Sequence, residues 1–246
     1  MEQLVKFRSE GQVILANLSL PHKGAPCIIM SHGLESSKDG NKWLVLAHRF
    51  YEAGFACLRF TYRGCGEGKE RSEGEFEDMT LSGRIRDYTA AIDFSETTEV
   101  DAKRLGAVGS SFGGMVALAA QNSKIKALVT LATPARLQIP SGEQLRIYQN
   151  EGFFEFPSGK RVRTRFLSDI EQYDICDAIG KSGCPVLIIH GSADESVPVK
   201  DAHDLYESAK EPKRLVIIKG GNHAFNDSAH LEQVISLTLN WFKQYL

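Results

Sequence analysis

Gly109, Ser110, Ser111, Phe112 and Gly113 form a G-x-S-x-G pentapeptide directly between the apolar run RLGAV and the helix-patterned segment GGMVALAAQ. Small residues on either side of a serine at a sharp strand-to-helix turn let the backbone fold back so that the hydroxyl projects outward. The helix that follows aims its N-terminal amides at developing negative charge. This arrangement suits acyl transfer, with Ser111 as nucleophile and the Phe112 amide as one donor to the tetrahedral oxyanion. Alone, the pentapeptide is equally a glycine-rich turn with a capping serine. Ser110 does not fit the elbow, because Val108 rather than glycine stands two residues before it.

A serine hydroxyl is a weak nucleophile at neutral pH, so it needs a base, and the base needs a group to orient it. His223 follows the apolar run LVIIKG, and Asp194 lies in the GSADESVP loop after VLIIH. Separately each has a bland explanation, a turn cap for Asp194 and a backbone-bonded loop histidine for His223. Together Ser111, Asp194 and His223 occupy successive loops after apolar runs, in the order expected of a catalytic triad. The other candidates rank lower. His203 and His230 fall in helical patterns and should face solvent, His190 ends a strand and reads as packing, and Asp227 reads as a helix cap or N-terminal charge.

The elements that must position these residues follow a regular rhythm. LVKFRS and QVILANLSL, joined at Glu10 and Gly11, read as a hairpin. Short apolar runs then alternate with longer helical patterns to the C-terminus, which predicts an α/β protein with a mostly parallel sheet covered by helices on both faces. In such sheets ligands bind beyond the carboxyl ends of the strands, where the three residues fall. The stretch 134–183 is too long for an ordinary crossover and predicts an insertion acting as a lid or cap. Within it FFEF and RVRTRF flank Pro157, Ser158, Gly159 and Lys160 as a small hairpin. Phe153, Phe154, Phe156 and Tyr148 are candidate substrate contacts, against the alternative that they form the insertion's own small core. The basic run Lys160, Arg161, Arg163 and Arg165 could attract an anionic substrate, against the plainer reading of a solvated hairpin face.

Composition bounds the remaining classes. The chain of 246 residues, 42% hydrophobic, is expected to form a single domain over 1–246 with a substantial core. With 29 Lys and Arg against 31 Asp and Glu, no charge excess draws it to nucleic acid or an anionic membrane. The N-terminus lacks the apolar core of a signal peptide, no later run is long enough to span a bilayer, and five cysteines without a CxxC pair fit a reducing compartment. These features predict a cytosolic protein without metal or disulfide framework.

The His32–Gly33 pair, the GSSFGG elbow and the GSADESVP and GGNHAF segments resemble the α/β-hydrolase superfamily of serine hydrolases. EGEFEDMTLSGRIRDYTAAIDF is similar to the corresponding stretch of cinnamoyl and feruloyl esterases, a carboxylesterase-like group. The resemblance runs from about residue 25 to the C-terminus, apart from the insertion. It implies an eight-stranded sheet, a Ser/His/Asp triad, no cofactor, and a small-molecule ester as substrate. It also makes the Leu34 amide, after the HG pair, the second oxyanion donor. Thr61 departs from the pattern, standing where many relatives carry Asp in a D-x-R-G-x-G segment. The same triad also serves thioesterases and peptidase-like amidases, and a non-catalytic binding module that keeps the fold is the rival from another class. A homodimer is left open.

Overall fold

A computed structural model describes residues 2–137 and 140–246. Its main sheet has eight strands: β1 (Glu2–Ser9), β2 (Gln12–Ser19), β3 (Pro26–Ser31), β4 (Ala56–Phe60), β5 (Asp101–Ser110) and β6 (Ile125–Leu131), then, after the short pair β7 (Phe153–Glu155) and β8 (Arg161–Arg163), β9 (Val186–Gly191) and β10 (Lys213–Ile218). The spatial order is β1-β2-β4-β3-β5-β6-β9-β10. Strands β1, β2 and β4 pair antiparallel, and the pairs from β4 through β10 are parallel. The turn joining β1 and β2 places Glu10 at φ 49° and Gly11 at φ 85°, the left-handed pair whose twist matches a two-residue hairpin.

The near-continuous apolar runs are explained by burial on both faces. Every residue of β3, β4 and β9 is buried. Alternate side chains feed two cores: Cys27 and Ile29 enter one, Ile28 and Met30 the other. The second core is covered by α1 (Asn41–Glu52) and the C-terminal helix Ser228–Tyr245, through Trp43, Phe50, Val234 and Phe242. The first is covered by α2 (Leu81–Ser95), α3 (Phe112–Ala119) and helix Val199–Ser208. Thr80 caps α2 by accepting from the Gly83 N–H, and Asp227 caps the C-terminal helix, as its position before an apolar pattern predicts.

The segment 134–183, of which residues 138 and 139 lie outside the described residues, holds more helix than its sequence suggested. It contains α4 (Gly142–Glu151), the β7–β8 hairpin, α5 (Arg165–Ile170) and α6 (Ile175–Gly180). The last of these packs against α3 and helix Val199–Ser208, α7 in chain order, and so belongs to the layer covering the sheet. Only the part before it stands apart. That part has its own apolar anchors, Val162 and Phe166, which merge with the first core. Its basic residues do not simply face solvent: Arg163 and Arg165 both pair with Asp78, at 2.8 and 2.7 Å, and Lys160 lies over the Phe76 ring. No helix among the described residues is long and apolar enough to cross a membrane.

Candidate active site

Ser111 sits where β5 passes into α3, with φ 54° and ψ −125°. A non-glycine residue in this region costs about 1–3 kcal/mol and persists only where its surroundings enforce it. Here the Ser111 N–H donates to Leu131 O at 2.8 Å, tying the turn to the neighbouring strand. The glycines around it are required by close approach: a Cβ on Gly113 would stand 2.2 Å from Ser31 O and 2.4 Å from His32 O. Gly113→Ala must therefore displace the loop after β3. We expect it to cost about 1–3 kcal/mol, read as a lowered midpoint in denaturant unfolding.

Asp194 and His223 are brought together by the loops after β9 and β10. The His223 Nδ1 lies 2.8 Å from Asp194 Oδ2, and the Asp194 side chain is fully buried while that of His223 is 24% exposed. The other Asp194 oxygen accepts from the N–H groups of Ser196 and Val197. His190 also approaches Oδ2, at 3.2 Å, and its Nε2 lies 3.0 Å from Val197 O. It therefore does more than pack: it is a second imidazole on the same carboxylate. Burial works against ionisation of Asp194, but the hydrogen bonds from His190, His223 and the Val197 amide outweigh it and hold the carboxyl well below its usual range. No direct hydrogen bond joins Ser111 and His223 among the described residues, although both line one cavity. Such bonds commonly tighten only with substrate in place.

The loop after β3 lies against Ser111, since a Cβ on Gly33 would stand 3.5 Å from the Ser111 Cβ. His32 Nδ1 donates to Gly33 O at 2.7 Å and its Nε2 accepts from the Tyr62 N–H at 3.0 Å, which fixes one neutral tautomer. Burial, reinforced by the nearby Arg84 charge, pushes its pKa down to about 3. Arg84 is itself fully buried, donating to Gly33 O at 3.2 Å and to Leu34 O at 2.5 Å. Its guanidinium lies 4.8 Å from the Tyr62 ring centroid and 5.2 Å from that of Phe112. The Leu34 N–H donates to no backbone acceptor among the described residues, and Phe112, first in α3, has no intrahelical partner for its own.

A cavity of about 720 Å³ opens above these groups. Ser111, His223, Leu34, Phe154 and Phe156 line it, together with Phe166, Leu167 and Ile170, which the sequence did not single out. Phe153 and Tyr148 stand off it. Successive strand residues point to opposite faces, so Phe154 turns inward while Phe153 lies under the guanidinium groups of Arg161 and Arg163, 4.9 and 5.3 Å from its ring. Tyr148 packs edge-on against Phe154. The Phe112 ring is buried beneath the cavity, beside Phe166. No group of three or more His, Cys, Asp or Glu among the described residues is arranged to hold a metal ion.

Residues 44–246 match the prolyl oligopeptidase family. The chain belongs to that family. An uncharacterized 31.7 kDa protein of Escherichia coli, from the traX-finO intergenic region, is 27% identical over 267 residues, spanning 90% of this chain and 91% of the relative. Human ABHD10, a mitochondrial palmitoyl-protein thioesterase, is 26% identical over 226 residues, spanning 86% of this chain and 71% of its own. The structure of Est1E from Butyrivibrio proteoclasticus with ferulic acid bound superposes with a TM-score of 0.86 at 22% identity, covering 98% of both chains. That likeness establishes the α/β-hydrolase fold expected from the sequence.

For this prolyl oligopeptidase family member the depressed Asp194 carboxyl has a measurable consequence. A carboxyl whose folded-state pKa is lowered adds stability above its ordinary value of 3.8, and that contribution fades as the pH falls below it. Between about pH 5 and about pH 3 the melting temperature of Asp194→Asn should therefore fall less steeply than that of the parent. Parallel curves would mean that Asp194 is not held low.

Proposed function

We propose that this chain is a serine hydrolase that cleaves carboxylic esters of small or aromatic acyl groups through an acyl-enzyme on Ser111. The observation that carries this reading is the buried Asp194 bonded at 2.8 Å to a partly exposed His223, which shares a cavity with a serine at a strained strand-to-helix turn. In the mechanism, His223 removes the Ser111 proton while Asp194 holds the imidazole and balances the charge it gains. The Ser111 oxygen attacks the ester carbonyl, and the amides of Leu34 and Phe112 bind the oxyanion. Collapse expels the alcohol with the proton from His223. Water activated by the same histidine then releases the acid.

The aromatic wall formed by Phe154, Phe156 and Phe166 favours an apolar or aromatic acyl arm. The β7–β8 hairpin acts as a lid over that arm, joined to the loop after β3 where Ser158 Oγ donates to Glu35 at 2.6 Å. Thioester cleavage is the second reading, favoured by the similarity to a protein named as a palmitoyl-protein thioesterase. The purified chain should be assayed on p-nitrophenyl acetate, p-nitrophenyl butyrate, a phenylpropanoyl ester, acyl-CoA thioesters and aminoacyl amides. Turnover of the oxygen esters, with the highest kcat/KM among the set, is the expected result. Turnover of the amides alone would overturn the esterase reading, and a clear preference for thioesters would replace it with the second.

A further inference from the structure

Lys42, the second residue of α1, lines the same cavity as Ser111 and His223. Its Nζ donates to Ser110 Oγ at 2.8 Å and stands 5.7 and 5.8 Å from the ring centroids of Trp43 and Phe225. An ammonium carries three N–H donors, and among the described residues a single hydroxyl accepts from it. Among the described residues no carboxylate lies within ion-pairing distance. Lys38, four residues earlier, shows the ordinary alternative, with Asp39 and Glu70 both at 2.7 Å. Burial pushes the Lys42 pKa down to about 8, with the Asp194 carboxylate acting the other way. Near neutral pH it is still mostly protonated, a cation with unused donors beside the nucleophile turn.

The rest of the cavity supplies no partner for that charge. Its acidic member, Glu35, is exposed and accepts from Ser158. Much of its remaining lining is aromatic and aliphatic, including Phe154, Phe156, Phe166, Leu167 and Ile170. Such a site is complementary to an ester with an apolar arm and a negative charge. We propose that Lys42 forms a subsite for a carboxylate carried by the ester substrate, so that the cavity selects anionic esters over neutral ones. This rests on the reading of Ser111 as the hydrolytic nucleophile. Bound there, the carboxylate accepts from the free Lys42 donors and offsets a charge that the protein leaves unpaired.

The test compares two matched pairs: mono-p-nitrophenyl adipate with p-nitrophenyl hexanoate for a carboxylate on the acyl side, and 4-carboxyphenyl butyrate with phenyl butyrate for one on the alcohol side. Each kcat/KM is normalised to the ester's hydroxide hydrolysis rate. At least one charged ester should be preferred by roughly 10- to 100-fold, the value of one charge-assisted hydrogen bond. That ratio should fall close to one in Lys42→Met and Lys42→Gln, hold in Lys42→Arg and invert in Lys42→Glu. Fluorophosphonate labelling of each variant verifies that its site is folded.

If Lys42 serves only to hold Ser110, Lys42→Met will slow charged and neutral esters alike and leave the ratio unchanged, which overturns the proposal. So does a parent protein with no preference for either charged ester. Normal turnover of the neutral esters in those cases keeps the hydrolase reading intact. Loss of all ester turnover and of Ser111 labelling in the parent protein would instead sink that reading, and the subsite with it.

Discussion

Ser111→Ala and His223→Ala should each lower ester turnover by about 10⁴- to 10⁶-fold, and the double variant should be no slower than the worse of the two singles. The non-additivity is the informative part. Once the hydroxyl is gone, the histidine has no proton to take. Once the histidine is gone, the hydroxyl stays protonated at neutral pH. Residues that merely bound substrate side by side would give losses that multiply. Asp194→Asn belongs to the same unit but acts by orientation, because an amide in place of the carboxylate cannot hold the Nδ1–H form of His223 as the carboxylate does. It should cost about 10⁴-fold, mostly in kcat. Steady-state kinetics on one p-nitrophenyl ester across the parent and these four variants separates these cases.

Arg84→Met should lower kcat by about 100-fold or more while KM and the melting temperature change little. The reason lies in one peptide unit. Gly33 C=O and Leu34 N–H belong to the same planar peptide and point in opposite directions. His32 Nδ1–H and the Arg84 guanidinium both donate to that carbonyl, at 2.7 and 3.2 Å, so they fix the plane and polarise the amide at its other end. Arg84 also lies against the ring of Phe112, whose amide is the other proposed donor. These donors matter most when the oxygen becomes negative, so the loss belongs in kcat rather than KM.

Stability should respond differently from rate. Among the described residues Arg84 has no carboxylate partner, and removing an unpaired buried charge is favourable. Leaving Leu34 O without its donor is unfavourable by a comparable amount. Methionine fills a similar volume, so the two effects nearly cancel. A variant that unfolds several degrees earlier and loses activity only in proportion would assign Arg84 a purely structural role.

What could be read from the sequence divides by the range of the signal. Ser111, Asp194 and His223 each sit three or four residues beyond an apolar run, and both the runs and the loops are local patterns, so the alternation of strands and helices, and the loops that hold the candidate triad, could be read from periodicity. The side chains that support them left no local trace. Arg84 lies in RIRDY, which reads as the polar face of a helix. Its burial arises only because α2 packs beneath a loop about fifty residues away. Lys42 precedes the buried Trp43 at a helix start, where no local pattern distinguishes it from a solvated lysine. His190 read as packing because its neighbours in VLIIHG are apolar, yet the next loop folds Asp194 back onto it. In the insertion, the alternation of FFEF puts Phe154 and Phe156 on one face and Phe153 on the other, but only the position of the hairpin at the cavity shows which face is inward.

Whether Ser111 is the activated nucleophile is tested most directly by active-site labelling. The purified protein, treated with a fluorophosphonate and digested, should yield a single modified peptide carrying the phosphonyl group on Ser111. Labelling should be slowed in His223→Ala and absent in Ser111→Ala. Modification at Ser110 or elsewhere, or ester hydrolysis that survives Ser111→Ala undiminished, would show that Ser111 is not the nucleophile.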